Sequence, residues 1–290
     1  MESDLTSSGA GTRGGKIRHW RQILPNFVYC VFDPRHQPKV SIPKLLLAVV
    51  VRAIELFAGC GIFSRQLKNN GCITETVDFI DDPVGQDLSV ESVIRSYEVR
   101  LARGEFDIVH FGTECRTFSR GCHPPYRDGS NLFGMPGLSG EKLQIAQTGT
   151  KLVETTVRLW AAALHGSKRT GKRLFMSWEN PAESLMWELP CTYKVQNSCN
   201  AGTGNNTVLC YCRYGKTFRK RTRFLTTFDF SSLGLMCQCK EKHPEVLRGR
   251  NNAAGMNWAA YANAYPRRLV NRWVELILSK YNRVWPKTHR

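Results

Sequence analysis

The stretch Ile54-Glu55-Leu56-Phe57-Ala58-Gly59-Cys60-Gly61-Ile62-Phe63-Ser64 most constrains what this chain can fold into. The apolar, β-branched run Leu45–Val51 leads into it and predicts a buried strand over Ala48–Phe57. Gly59 and Gly61 then make a tight turn. A helix is expected over Ser64–Asn69, stopped by Asn70-Gly71. Strand, glycine turn and helix form the geometry in which a backbone approaches a nucleotide-like ligand closely. Many strands end in glycine with no ligand nearby, so the turn gains meaning only from what accompanies it.

What accompanies it is an alternation of strand and helix patterns. Strands are expected at Cys72–Val77, Phe106–Phe111 and Leu174–Trp178. Helices are expected at Val90–Arg103 and from Glu141 to Leu164, the latter apolar enough to be largely buried. This order predicts an α/β fold with a mostly parallel sheet and helices on both faces. Two further strands, Thr207–Tyr211 and Arg223–Phe228, are placed to complete the sheet, and a last helix runs from Pro266 to Tyr281. Residues 1–41 are basic and rich in turn formers and read as a flexible extension. Residues 42–290 form the domain, and 190–257 hold a small cysteine-rich region.

Charge and cysteine use narrow the function. A net charge of +17 points to a polyanionic partner, because phosphate neutralisation releases counterions. The basic residues cluster at Lys168–Arg173, Arg219–Arg223 and Arg248–Arg250. The segment Gly166-Ser167-Lys168-Arg169-Thr170-Gly171-Lys172-Arg173 nearly matches a phosphate loop. It lacks the final Ser/Thr and precedes a strand, so it reads as a basic loop near phosphate backbone. No apolar run is long enough to span a bilayer, and no membrane partner is expected. Eleven cysteines without an apolar leader suggest a reducing, intracellular setting, and the basic runs are compatible with nuclear delivery.

In an open α/β sheet, ligands sit beyond the carboxyl ends of the strands. The first strand delivers Phe57, Ala58, Gly59 and Gly61. The second delivers Asp78, 19 residues after Gly59 and so placed for ribose hydroxyls. Asp87 follows, where a carboxylate would accept from an adenine amino group. The third strand delivers Cys115, and the nearby Arg116 and Arg120 are expected to favour its thiolate. The fourth delivers Glu179-Asn180-Pro181. Taken singly, each of these is as well read as a buried cysteine, a turn or a helix cap.

Taken in order, they resemble a known family. Leu56-Phe57-Ala58-Gly59-Cys60-Gly61, then Cys115-Arg116-Thr117-Phe118-Ser119, then Glu179-Asn180-Pro181, then Arg221-Thr222-Arg223 resemble the DNA cytosine-5 methyltransferase family. The form is that of a divergent branch carried by mobile elements or viruses, and the similarity covers roughly residues 50–275. The resemblance implies a Rossmann-like class I methyltransferase fold and S-adenosylmethionine as cofactor. Phe57, Ala58, Gly59, Gly61, Asp78 and Asp87 would bind that cofactor. It implies Cys115 as nucleophile at C6 of cytosine in DNA and Glu179 as hydrogen-bond partner of N3 and the exocyclic amine. Arg221 and Arg223 would orient the base or its phosphate.

This chain departs from the family at Glu114, where proline normally precedes the cysteine. A carboxylate there raises the Cys115 pKa unless Arg116 or Arg120 offsets it. Asn180 is followed by proline and not valine, and Tyr261–Pro266 matches the family's last cofactor motif only loosely. Two other functions therefore stand beside DNA methylation. One is a nucleic-acid-binding protein that keeps the fold without the chemistry; the other is a methyltransferase acting on RNA.

Cys237, Cys239 and His243 supply three ligands of the kind that hold zinc, with Cys199, Cys210 or Cys212 as the fourth. A metal would stabilise a small region with little core of its own. This region, with Arg248 and Arg250, is the expected DNA contact.

Overall fold

The computed structural model describes residues 50–199, 205–245, 247, 250–251, 256–257 and 262–282. The expected N-terminal extension and Arg248 lie outside the described residues. The elements are β1 (Arg52–Leu56), α1 (Ile62–Asn69), β2 (Ile73–Val77), α2 (Glu91–Ala102), β3 (Ile108–Phe111), α3 (Gly140–Thr170), β4 (Phe175–Pro181), α4 (Tyr193–Cys199), β5 (Asn206–Cys210), β6 (Arg221–Thr226) and α5 (Arg267–Asn282). The main sheet has the order β2-β1-β3-β4-β6-β5. The pairs among β2, β1, β3 and β4 are parallel, whereas β6 runs antiparallel to both β4 and β5.

Burial on both faces explains the apolar strands. Leu56, Val109, Phe111, Met176 and Trp178 join the core under α2 and α3, with Ile94, Leu101, Leu159 and Trp160. Ala53, Ile108, Phe175 and Phe224 join the other core, under α1 and α5, with Phe63, Leu67, Leu269 and Trp273. Alternate side chains thus feed opposite layers, as a strand's two-residue period requires. Trp273 stacks on Phe63 at 3.9 Å, locking α5 to α1.

Several boundaries differ from the sequence reading. β4 continues through Glu179, Asn180 and Pro181, because these residues pair with Phe224, Arg223 and Thr222 of β6. Glu179 is therefore a strand residue with a defined face, not the start of a loop. β6 begins at Arg221, two residues early, and α4 was not anticipated.

The basic segment 166–173 is also not a loop. Helix α3 runs on to Thr170 and stops at Gly171, whose φ of 67° suits the left-handed cap. Gly166 is what lets it continue. A Cβ there would lie 2.2 Å from the Leu101 carbonyl oxygen, so only glycine permits the two helices to touch. Arg169 uses the contact to donate to the Ala102 and Arg103 carbonyls at the end of α2. Its charge complements the partial negative charge of a helix C-terminus. No helix among the described residues is long and apolar enough to cross a membrane.

Candidate active site and metal-binding cluster

The chain leaves β1 toward β2 on one side and later returns to β3 on the other. The ends of β1 and β3 thus flank the switch point where open α/β sheets bind ligands. The β1 end is built for close approach. Phe57 has a φ of 58°, a left-handed conformation that costs a bulky residue on the order of 1–3 kcal/mol. Gly59 and Gly61 follow at 52° and 57°. Across the switch point the Gly112 amide donates to the Leu56 carbonyl at 3.0 Å. A Cβ on Gly112 would stand 2.9 Å from the Phe57 carbonyl oxygen, so the two strand ends could not close with a larger residue.

Asp78 braces this turn. One carboxylate oxygen accepts from the Gly59 amide at 2.8 Å, and the other accepts from the Ile80 amide at 3.0 Å. Part of its lone-pair capacity is thus already used in shaping the glycine turn. Asp87 accepts from the Ser89 amide at 2.8 Å, a local turn that sets up the start of α2. Phe79 and Ile80, beside Asp78, are exposed. Ala58–Gly61, Ser64, Arg65, Lys68, Thr74, Thr76 and Asp81 line an open cleft of about 570 Å³.

The loop after β3 carries Cys115 and is held from three sides. Asn180 Nδ2 donates to the Thr113 carbonyl at 2.7 Å, tying the ends of β3 and β4 together. The Thr113 and Thr156 hydroxyls lie 2.8 Å apart, anchoring the loop to α3. Phe118 is buried, and the Arg127 guanidinium lies 4.1 Å over its ring. Arg127 is itself buried and donates to Thr117 Oγ1 and to the Leu132 and Ala146 carbonyls. Gly149 of α3 gives the loop its seat, since a Cβ there would come within 2.5 Å of Thr117 Oγ1.

Glu179 is buried at the end of β4, on the α5 side of the sheet. Tyr265, just before α5, donates to Glu179 Oε2 at 3.1 Å. Lys220 Nζ stands 4.0 Å from Oε1, and that oxygen has no hydrogen-bond partner. Burial pushes the Glu179 pKa up, against the opposing pull of Lys220 and the Tyr265 hydrogen bond. Cys115 is half-buried, and burial pushes its thiol up as well. Lys220 opposes that rise, while Glu179 and Glu114 add to it.

These placements distribute the basic residues around the site. Arg116 acts on Glu114 itself, opposing the rise that burial gives that carboxyl. Arg120 is spent on Glu188 at 2.7 Å, and Lys220 is the cation that favours the thiolate. Arg221 and Arg223 stand on the other face of the sheet from Glu179. Strand alternation puts them on the face of β6 opposite Phe224, the register partner of Glu179. Arg221 pairs with Glu183, and Arg223 donates to Asn206 Oδ1 at 2.9 Å and lies 5.2 Å over the Trp187 ring. Lys220 and Tyr265 went unnoticed because their motif neighbours drew the eye. The parity of β6 was the available signal: residue 220 shares a face with 222 and 224.

The cysteine cluster resolves the choice of fourth ligand. Cys212 Sγ, Cys237 Sγ, Cys239 Sγ and a His243 ring nitrogen all lie within 4.8 Å of one another. Cys237 Sγ and His243 Nε2 are 3.6 Å apart. Tetrahedral zinc with usual bond lengths places sulfur and nitrogen about 3.5 Å apart, so the donor set and its spacing suit such an ion. Cys210 is a buried β5 residue, and Cys199 is buried at the end of α4. Cys212 is brought in by the turn after β5, where the Cys210 amide bonds the Leu235 carbonyl at 2.9 Å. β5 and β6 belong to the main sheet, so the cluster is a loop-and-turn clamp on the sheet's edge and not a separate insert. The Tyr211 amide, next to Cys212, donates to the Lys220 carbonyl at 3.0 Å. The clamp is therefore one residue from the strand end that supplies the cation at Glu179.

No protein-family model matches the chain, and no curated protein matches it.

Proposed function

We propose that this protein is an S-adenosylmethionine-dependent methyltransferase that modifies C5 of cytosine in DNA through a covalent adduct with Cys115. The observation that carries the reading is the convergence of Cys115, Glu179 and Lys220 at the carboxyl edge of β3 and β4, beside the glycine turn of β1. The finer fold assignment, a Rossmann-like class I methyltransferase, belongs to the same proposal. It is supported by the parallel β2-β1-β3-β4 order with its switch point at that edge.

The residues suit the roles. The backbone from Phe57 to Gly61 and the carboxylates of Asp78 and Asp87 would hold the cofactor. Exposed Phe79 and Ile80 offer apolar surface for a base. The cofactor supplies an electrophilic methyl group. Cys115, as thiolate, adds to C6 of cytosine and makes C5 nucleophilic. Glu179 stabilises the charge that develops at N3, and the raised pKa of this buried carboxyl favours the neutral form that donates a hydrogen bond there. Methylation is followed by loss of the C5 proton and expulsion of Cys115, which restores the ring. Lys220 favours both the Cys115 thiolate and the Glu179 carboxylate formed as a proton leaves. The base must leave its stack to reach this edge, and the net charge of +17 supports a nucleic-acid partner. The Cys212–Cys237–Cys239–His243 cluster would hold zinc as a structural ion.

A specific observation supports a second reading. Burial, Glu179 and Glu114 all push the Cys115 thiol up, as they would in a nucleic-acid binder that has lost the chemistry. Nucleoside mass spectrometry of DNA and RNA incubated with the protein and labelled S-adenosylmethionine decides between them. The proposal expects labelled 5-methylcytosine in DNA, abolished by Cys115→Ala with cofactor binding retained. Label in neither polymer favours the binder, and full activity of Cys115→Ala removes the covalent mechanism.

A further inference from the structure

A polar row crosses the sheet one rung below its carboxyl edge. Thr76, Glu55, His110, Ser177 and Thr226 are successive register partners on β2, β1, β3, β4 and β6. Buried parallel strands have no packing reason to carry such a row. Its centre connects directly to Glu179. Ser177 Oγ is 2.9 Å from His110 Nδ1, His110 Nε2 is 3.0 Å from the Tyr265 hydroxyl, and that hydroxyl donates to Glu179 Oε2 at 3.1 Å.

The direction of these bonds follows from counting protons. Tyr265 has one hydroxyl proton and gives it to Glu179, so its oxygen is left to accept from His110 Nε2–H. His110 is fully buried beside Phe63 and Trp273, with ring centroids 5.2 and 4.8 Å away. Burial lowers its pKa to about 3, so the ring stays neutral and donates from one nitrogen only. Nδ1 is then bare and accepts from the Ser177 hydroxyl; the Ser177 carbonyl lies farther, at 3.2 Å. The chain runs one way, from Ser177 through His110 and Tyr265 to Oε2. The other oxygen, Oε1, is buried without a hydrogen-bond partner.

We infer that Ser177, His110 and Tyr265 form a proton-directing chain that holds Oε2 as an acceptor and places any proton carried by Glu179 on Oε1. A proton on Oε2 would require the whole chain to reverse, with Tyr265 donating to a bare Nε2 and Nδ1–H turning to the Ser177 carbonyl at 3.2 Å. When Glu179 releases its proton, the Tyr265 bond already in place serves the carboxylate, and nothing has to turn. The three residues touch no substrate; they are positioning residues, and their importance rests on the reading of Glu179 as the group that faces the target base. The titratable groups around Glu179 are Lys220, Tyr211, Tyr265 and Cys115, and Glu55 faces Tyr265.

The test is the tautomer of His110 in the full chain labelled with 15N-histidine, its signals assigned by their loss in His110→Gln. The chain requires a neutral ring with Nε2 protonated and Nδ1 bare from about pH 5.5 to 8.5. Glu179→Gln should keep that tautomer, its amide group standing where Oε1–H would. Tyr265→Phe removes the acceptor from Nε2 and should move the proton to Nδ1. A wild-type ring protonated at Nδ1, or an imidazolium in this range, overturns the inference whether or not the variants fold. Absence of methyl transfer would defeat the proposed function but leave this measurement decisive. If transfer occurs, Tyr265→Phe should lower kcat by about tenfold with KM unchanged and move the alkaline limb of the kcat profile to higher pH. An unchanged profile in a folded variant also overturns it.

Discussion

Lys220→Met tests whether the charge arrangement at Glu179 is real. Nζ lies 4.0 Å from Oε1, and the two side chains are only 12% and 9% exposed. Two unit charges at that distance attract by about 4 kcal/mol at an effective dielectric of 20, which bounds what the pair contributes. Lys220 also donates to the Ala262 carbonyl at 3.2 Å and lies 5.0 Å over the Tyr211 ring, and truncation removes these contacts too. A double-mutant cycle with Glu179→Gln isolates the pair, because those other contacts are lost equally in both backgrounds. The sign follows from the raised pKa of Glu179. Below its folded pKa the carboxyl is neutral and Lys220 has no charge to meet. Above it the attraction operates, partly offsetting the cost of a buried carboxylate. Urea unfolding of the four proteins should therefore give a coupling energy that grows as pH rises above the ordinary carboxylate range, to a value below about 4 kcal/mol. Cys115 alkylation should slow in Lys220→Met, since Lys220 is the cation that favours its thiolate. A coupling under about 0.5 kcal/mol at the higher pH, or one that does not change with pH, would refute the reasoning.

Three further outcomes are expected. Gly166→Ala gains about 1 kcal/mol of helix propensity but forces a methyl against the Leu101 carbonyl oxygen, 2.2 Å away, so net destabilisation of about 1–3 kcal/mol is expected in urea; a stabilised variant contradicts the α2–α3 contact. Cys212→Ser should drop bound zinc below about half an equivalent and expose the 237–243 loop to protease while leaving far-UV dichroism unchanged; full metal occupancy would remove Cys212 from the ligand set. Burial raises Glu55 to about 7 from 4.5, so its favourable contribution is complete below pH 4.5 and lost as pH rises through 7. Glu55→Gln should remove about 3 kcal/mol of that pH dependence, and parallel wild-type and variant stability curves would argue against a buried, titrating Glu55.

The sheet was legible because its signals are local. Runs that are apolar or rich in β-branched residues fall at β1, β2, β3 and β4, and the helices between them follow a 3.6-residue period. What failed was local chemistry read without its neighbours. Lys168–Arg173 looks like a solvated loop, and nothing within it says that Gly166 meets the end of α2. Arg221 and Arg223 carry a motif, but a strand shows its two faces alternately, and the register with β4 decides which face meets Glu179. Cys212 was one of three candidates for the fourth ligand. The pairing of the Cys210 amide with Leu235, with the Tyr214 hydroxyl on the Leu233 carbonyl, brings its turn to the loop that holds Cys237 and His243.

The polar row was legible in a different sense. Glu55, His110 and Ser177 each interrupt an apolar strand, and each alone passes for a tolerated exception. Their meaning appears when parallel register aligns them on one rung, beside a tyrosine supplied from the far end of the chain. An apolar rung would pack as well and carry no desolvation cost. Within this row the Ser177, His110 and Tyr265 hydrogen bonds lead to one oxygen of Glu179. The same edge carries a left-handed Phe57 and a half-buried thiol whose burial opposes ionisation. The strain at Phe57, the buried chain to Glu179 and the raised acids Cys115 and Glu179 each cost stability, and these fall together along the adjacent ends of β1, β3 and β4. That coincidence, more than any single motif, argues that this edge is where the protein acts.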